Sequence, residues 1–263
     1  MGRTADPAIL AAEGLPFVSA SDVPIAGQPT PRPLTVEEIK DYIQMYATAA
    51  SNAVYRAGFD GVEIHAANGY FLDQFLHDRS NIRTDAYGGS VENRTRLPLE
   101  VTEAMVKAVG QKKTGFRISP WGTYNGTLPP SPYSDKSDIP LRHLCDRYPE
   151  LACLHVVEPR VNGTESVEVV KDGNYNDFIR AIWGDRRLIS TGGYTQKTTL
   201  AAAEEKGDLV VFARQYIANP DLPFRLHDIA LAVGNRALYY VPGSVDPKGY
   251  TDYPFAIPVE SQA

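Results

Sequence analysis

Five short, strongly apolar runs punctuate the chain: GFDGVEIHAAN (58–68), TGFRISP (114–120), LACLHVVEP (151–159), RRLISTGGY (186–194) and GDLVVFARQYIANP (207–220). Each is near-continuously apolar instead of alternating, the pattern of a strand covered on both faces. Helical spacing fills the gaps. TVEEIKDYIQMYATAASNAVYRAG opens with Thr35 as a cap and Glu38 three residues later, the signature of a capping box. SVENRTRLPLEVTEAMVKAVG follows the first run and TQKTTLAAAEEKG the fourth. Strands alternating with helices predict a parallel sheet with right-handed crossovers. The expected fold is therefore α/β, of the TIM (β/α)8-barrel type, read as one domain over 1–263. A doubly wound sheet shares the alternation, but no G-x-G-x-x-G opens a helix. LPPSPYSDKSDIP (128–140) reads as a surface loop and IPVESQA (257–263) as a loose tail.

Composition narrows the function classes. With 263 residues, 43% hydrophobic and 22% charged, the chain is large enough to bury a sizeable core. A net charge of −6 without a basic block argues against nucleic acid as the main partner. No apolar run approaches the roughly 18 residues that span a bilayer, so no membrane partner is expected. MGRTADPAIL lacks the apolar core of a signal peptide, and Asp6 breaks the myristoylation pattern that Gly2 would begin. The two cysteines, Cys145 and Cys153, suggest neither a disulfide framework nor a metal site, and Cys153 reads as a core thiol. A reducing cytoplasm is the expected compartment.

The chemistry-bearing residues gather at the C-terminal ends of the apolar runs, where (β/α)8 barrels carry their active sites. His65 and Asn68 are three apart, so one helical turn would place them on a common face. Both can donate hydrogen bonds to a single oxygen. Tyr70, with an ordinary pKa near 10, can serve as a proton donor at neutral pH. Two donors and one acid make a set that can polarise a carbonyl and protonate a neighbouring carbon. The plainer reading stays open at this point: His65 and Asn68 can simply satisfy backbone groups in a loop. Arg117 interrupts an apolar strand and needs an anionic or acceptor partner, which an internal ion pair would also supply. Gly192 and Gly193 end the fourth run, and Ala213 and Arg214 lie in the fifth. Small residues with available amides there suit a phosphate, although a Gly-Gly pair is usually only a turn. Trp121 and Tyr124 are candidates for a cavity wall, or for ordinary loop packing.

The stretch EIHAANGYFLDQFLHDRSNIRTDAYGGSVENRTR resembles the old yellow enzyme family of flavin-dependent ene-reductases. The likeness continues through FRISPWG, LHVVEPR, NDFIRAIWG, FARQYIANPDLPFRL and KGYTDYP, and so covers nearly the whole chain. It implies an FMN-dependent oxidoreductase that uses NADPH or NADH to reduce the activated C=C of an enone or enal, in specialised metabolism. His65 and Asn68 match the pair holding the substrate carbonyl oxygen, and Tyr70 the acid that protonates the α-carbon. Arg117 matches the arginine at the flavin pyrimidine edge. Gly192, Gly193, Ala213 and Arg214 match phosphate-binding positions, with Ala213 replacing a usual glycine. Tyr240 falls where the family has an aromatic over the substrate.

In the resembled family GRTADP follows the third barrel strand. The expectation is therefore a partial barrel holding strands 4–8, in line with the five runs counted. An open sheet of that kind would call for a partner chain or a second copy to cover it. Two alternatives accompany the ene-reductase reading. One is a flavin-independent isomerase or cyclase using Tyr70 as acid; the other is a non-catalytic partial barrel that needs a partner.

Overall fold

The computed structural model describes residues 2–127, 139–167, 175–227, 229–241 and 244–256. The tail expected at 257–263 lies outside them. So does the loop expected at 128–140, except Ile139 and Pro140, which open a helix. The chain divides into two compact units, Met1–Gly193 with Gly207–Leu209, and Tyr194–Lys206 with Val210–Ala263.

All five apolar runs contain strands: β1 (Val62–Ala66), β2 (Thr114–Ile118), β3 (Cys153–Val157), β4 (Leu188–Thr191) and β5 (Leu209–Val211). In the first unit the order is β1-β2-β3-β4, every pair is parallel, and Leu209 at the start of β5 continues the order. The register sets His65 beside Arg117, Arg117 beside His155, and His155 beside Ile189. One row of side chains thus crosses four strands on one face, because residues in register on a parallel sheet share a face.

The opposite face is the core. Ile64, Ala66, Phe116, Ile118, Leu154 and Val156 are buried there, in one cluster with Ile39, Leu97, Val101 and Trp183. Ile39 comes from the helix Val36–Ser51, which starts where the sequence predicts it. Thr35 Oγ1 accepts from the Glu38 amide at 3.2 Å and Glu38 Oε2 accepts from the Thr35 amide at 2.8 Å. A bidentate contact from Arg32 to Glu38 holds that carboxyl down at about 2. Leu97 and Val101 come from Val91–Val109, capped by Ser90 and ended by Gly110 at φ 91°.

One expectation needs correction. The strands are not covered uniformly on both faces. In β1 and β4 buried positions alternate with partly or fully exposed ones. The exposed set includes the polar row of Glu63, His65 and, on β2, the half-buried Arg117. Apolar density along the strands hides this, because Ile64 and Phe116 flank the polar positions and face the helices.

Polar side chains tie parts of the second unit together. Asp221 pairs with Arg225 at 2.6 Å and accepts from the Ala256 amide at 2.7 Å, while Arg225 donates to Pro254 O at 2.8 Å. Asn219 ties itself to Ala232 through both its amide nitrogen and its oxygen. Its longest helix is Gln196–Lys206. Among the described residues no helix is long and apolar enough to cross a membrane. Cys145 and Cys153 are both free and only partly buried.

Candidate active site

The site grows out of the end of β1. His65 is its next-to-last residue, and the chain then turns at Ala67–Asn68–Gly69–Tyr70. Asn68 has φ 57° and Gly69 φ 68°. The Tyr70 amide donates to Ala67 O at 3.2 Å, closing a four-residue turn with both central residues left-handed. Asn-Gly is the dipeptide that such a turn favours, since Asn tolerates positive φ and Gly adopts it freely. Tyr70 then caps Phe71–Leu76, and its carbonyl accepts from the Gln74 amide at 2.9 Å. His65 and Asn68 are thus not on one helical turn, as their spacing suggests. A strand end and a tight turn bring the three side chains into one short segment.

His65, Asn68 and Tyr70 are all half-buried. The His65 and Tyr70 rings lie 5.3 Å apart between centroids, tilted at 45°. Burial, and then the charge of Arg117, hold the His65 imidazole below its ordinary pKa, so it is neutral at pH 7. A neutral imidazole has one N–H to donate, and the His65 Nδ1 is buried without a partner. No ion pair to Arg117 occurs among the described residues, and its Nε is buried and unpartnered. Burial lowers its pKa, and the neighbouring Glu63 carboxylate raises it. Burial works against the Glu63 carboxylate in turn. Its 2.9 Å contact with His155 Nδ1 and the nearby charges nevertheless hold its pKa below the ordinary value.

Gly192 and Gly193 follow β4 with φ 113° and 67°. A Cβ on Gly192 would lie 2.6 Å from Val161 Cγ2, and one on Gly193 2.9 Å from Arg160 Cβ, so neither position admits a side chain. Ala213, Arg214 and Tyr240 belong to the second unit. Ala213 precedes the short helix Arg214–Ala218, with Arg214 half-buried. Tyr240 is exposed at φ 61°, edge-on to Tyr239. Trp121 and Tyr124 are engaged in packing: Trp121 donates to Asn176 Oδ1 at 2.9 Å and meets Phe178 edge-on, and the Tyr124 ring fills the space beside Gly163.

Sequence reasoning misses the residues that hold the turn, Asp73, Gln74, Ser119 and Asn125, and the Glu63–His155 pair. The Asn-Gly dipeptide is the available signal for the turn.

The NADH:flavin oxidoreductase / NADH oxidase family model matches residues 8–230. The chain belongs to this family. Its five-stranded architecture superimposes on an Old Yellow Enzyme from Pichia sp. with a TM-score of 0.82 at 33% identity, over 97% of this chain and 67% of that one. Morphinone reductase gives 0.81 at 32%, over 97% and 70%. The fold is therefore the α/β TIM-barrel type of the old yellow enzymes. Among curated proteins, a chanoclavine-I aldehyde reductase of Penicillium roqueforti is 44% identical over 265 residues, 97% of this chain and 69% of that protein. A probable inactive dehydrogenase of Claviceps purpurea is 42% identical over 268 residues, 97% of this chain and 68% of that one. An NADP-dependent oxidoreductase of Aspergillus flavus is 41% identical over 271 residues, 97% and 70%. By family the chain is an oxidoreductase of the old yellow enzyme type.

Proposed function

We propose that this chain reduces the activated C=C of an α,β-unsaturated carbonyl compound, with NADPH or NADH as reductant and FMN as cofactor. The observation that carries the reading is the segment His65–Asn68–Tyr70: a neutral imidazole and a phenol with ring centroids 5.3 Å apart, and a carboxamide carried on the turn between them. His65 and Asn68 donate hydrogen bonds to the substrate oxygen, where negative charge builds as hydride reaches the β-carbon. Donors held in place before the reaction stabilise that charge without reorganising, and losing one typically costs about 3 kcal/mol. Tyr70 delivers a proton to the α-carbon. The residues present fit FMN. Arg117 offers a half-buried cation with an unpartnered Nε, suited to an acceptor-bearing ring edge. When bound and reduced, FMN supplies the hydride.

The test is NADPH oxidation by the FMN-loaded protein with a simple cyclic enone. The reading expects enone-dependent oxidation that Tyr70→Phe reduces by roughly a hundredfold or more while FMN uptake is unchanged. Oxidation that ignores the enone would refute it. A relative in Claviceps purpurea is a probable inactive dehydrogenase, and a second reading without net reduction accompanies the first. In it the same oxygen-gripping pair and acid run an enol-forming isomerisation or cyclisation. It expects turnover without nicotinamide, again lost in Tyr70→Phe.

A further inference from the structure

The Asn68–Gly69 segment is held from outside at every backbone hydrogen-bonding group. The Asn68 amide donates to Ser119 Oγ at 2.7 Å, and its carbonyl accepts from Asn125 Nδ2 at 2.9 Å. The Gly69 amide donates to Asp73 Oδ2 at 2.7 Å, and its carbonyl accepts from Gln74 Nε2 at 2.9 Å. None of these four partners is backbone. Ordinary turns leave such groups to water or to adjacent main chain, so four side-chain partners on two residues form a built clamp.

Each jaw of the clamp is itself anchored. Asp73 is 2% exposed and its Oδ1 lies 3.2 Å from Nε2 of the fully buried His77, one helical turn further on. Gln74 Oε1 accepts from Ser19 Oγ at 2.9 Å. The Asn125 carbonyl accepts from Arg3 Nη2 at 2.9 Å, and Arg3 also donates to Val23 O at 3.0 Å. Ser119 follows β2 directly and is 3% exposed. The clamp thus ties the turn to β2, to the helix Phe71–Leu76 and to the segment around Arg3.

We propose that Asp73, Gln74, Ser119 and Asn125 are positioning residues for the reaction: they fix the left-handed turn so that the Asn68 carboxamide and the Tyr70 phenol hold one mutual orientation relative to His65. Two consecutive residues at positive φ have shallow alternatives, and without the clamp the turn relaxes. A donor displaced by about 1 Å costs up to roughly a hundredfold in rate. The inference rests on the proposed alkene reduction for its kinetic consequence, but the clamp itself has a separate readout.

The experiment uses the full chain with Asp73→Asn and Ser119→Ala, and Ser119→Thr as the conservative variant. Hydrogen exchange over residues 66–72 is followed by mass spectrometry in the absence of flavin. The clamp expects exchange to speed about tenfold in Asp73→Asn and Ser119→Ala, as a local opening, and to return towards wild type in Ser119→Thr. In the flavin-loaded protein, flavin content stays within about twofold of wild type, while enone turnover falls roughly ten- to hundredfold. Unchanged exchange in both disruptive variants would overturn the proposal, as would enone turnover at the wild-type rate in variants whose exchange has sped up. If the wild type turns over no enone, the functional reading fails, and the exchange result still decides whether the clamp exists.

Discussion

Gly69→Ala is the sharpest single perturbation of the site. Gly69 sits at φ 68°, a region that costs an L-residue roughly 1–2 kcal/mol. Its new Cβ would overlap the Tyr124 carbonyl and lie 2.6 Å from Asn125 Cβ. Because Arg3 anchors the Asn125 backbone, the collision moves the Asn125 side chain and breaks its bond to the Asn68 carbonyl. Overpacking of this kind costs about 1–3 kcal/mol and a lost hydrogen bond about 1 kcal/mol. The expected total is about 4 kcal/mol, a fall in Tm of roughly 8–16 °C at this chain length. Gly14 supplies the control. Its φ is 67°, and nothing lies within 4 Å of its would-be Cβ. Gly14→Ala therefore carries only the backbone cost, about 1–2 kcal/mol. The assay is urea or thermal denaturation of both variants beside wild type. A Gly69→Ala protein no less stable than Gly14→Ala would refute the packing account of the turn.

Two further predictions concern charge. Because burial depresses the His65 pKa below 6.5, the unfolded chain binds the proton more readily; His65 thus contributes stability that is full above about pH 6.5 and is lost as pH falls through its folded pKa. Urea midpoints between pH 7 and 5 should fall more steeply for wild type than for His65→Gln, and equal slopes would contradict the assignment. Arg117→Met should weaken FMN binding at least roughly tenfold by fluorescence titration, since a charge-assisted donor is removed; unchanged affinity would remove Arg117 from the flavin site.

Much of the first unit is legible in the sequence. The apolar runs mark the strands of the main sheet but not the two-residue strands Val18–Ser19, Arg32–Pro33, Val161–Asn162 and Glu165–Ser166, and Thr35 with Glu38 marks a helix start to the residue. What stays hidden depends on register. Ser119 meets Asn68 because Ala66 pairs with Ile118, a pairing no local pattern states. The polar row of His65, Arg117 and His155 is equally a product of strand register, and single runs dominated by Ile, Val and Phe conceal it. His65, Asn68 and Tyr70 are legible as a set, but their spacing suggests a helical turn where the chain makes an Asn-Gly turn. Asp73 and His77 sit at helical spacing, and their burial is not stated by that spacing.

The central claim is that Tyr70 gives the proton to the α-carbon of an enone held by His65 and Asn68. Its most direct test is reduction of a cyclic enone by the FMN-loaded protein with NADPH in heavy water, followed by NMR of the product. The account predicts deuterium at the α-carbon and protium at the β-carbon, with product formation suppressed in Tyr70→Phe. Deuterium at the β-carbon, or undiminished product from Tyr70→Phe, would contradict it.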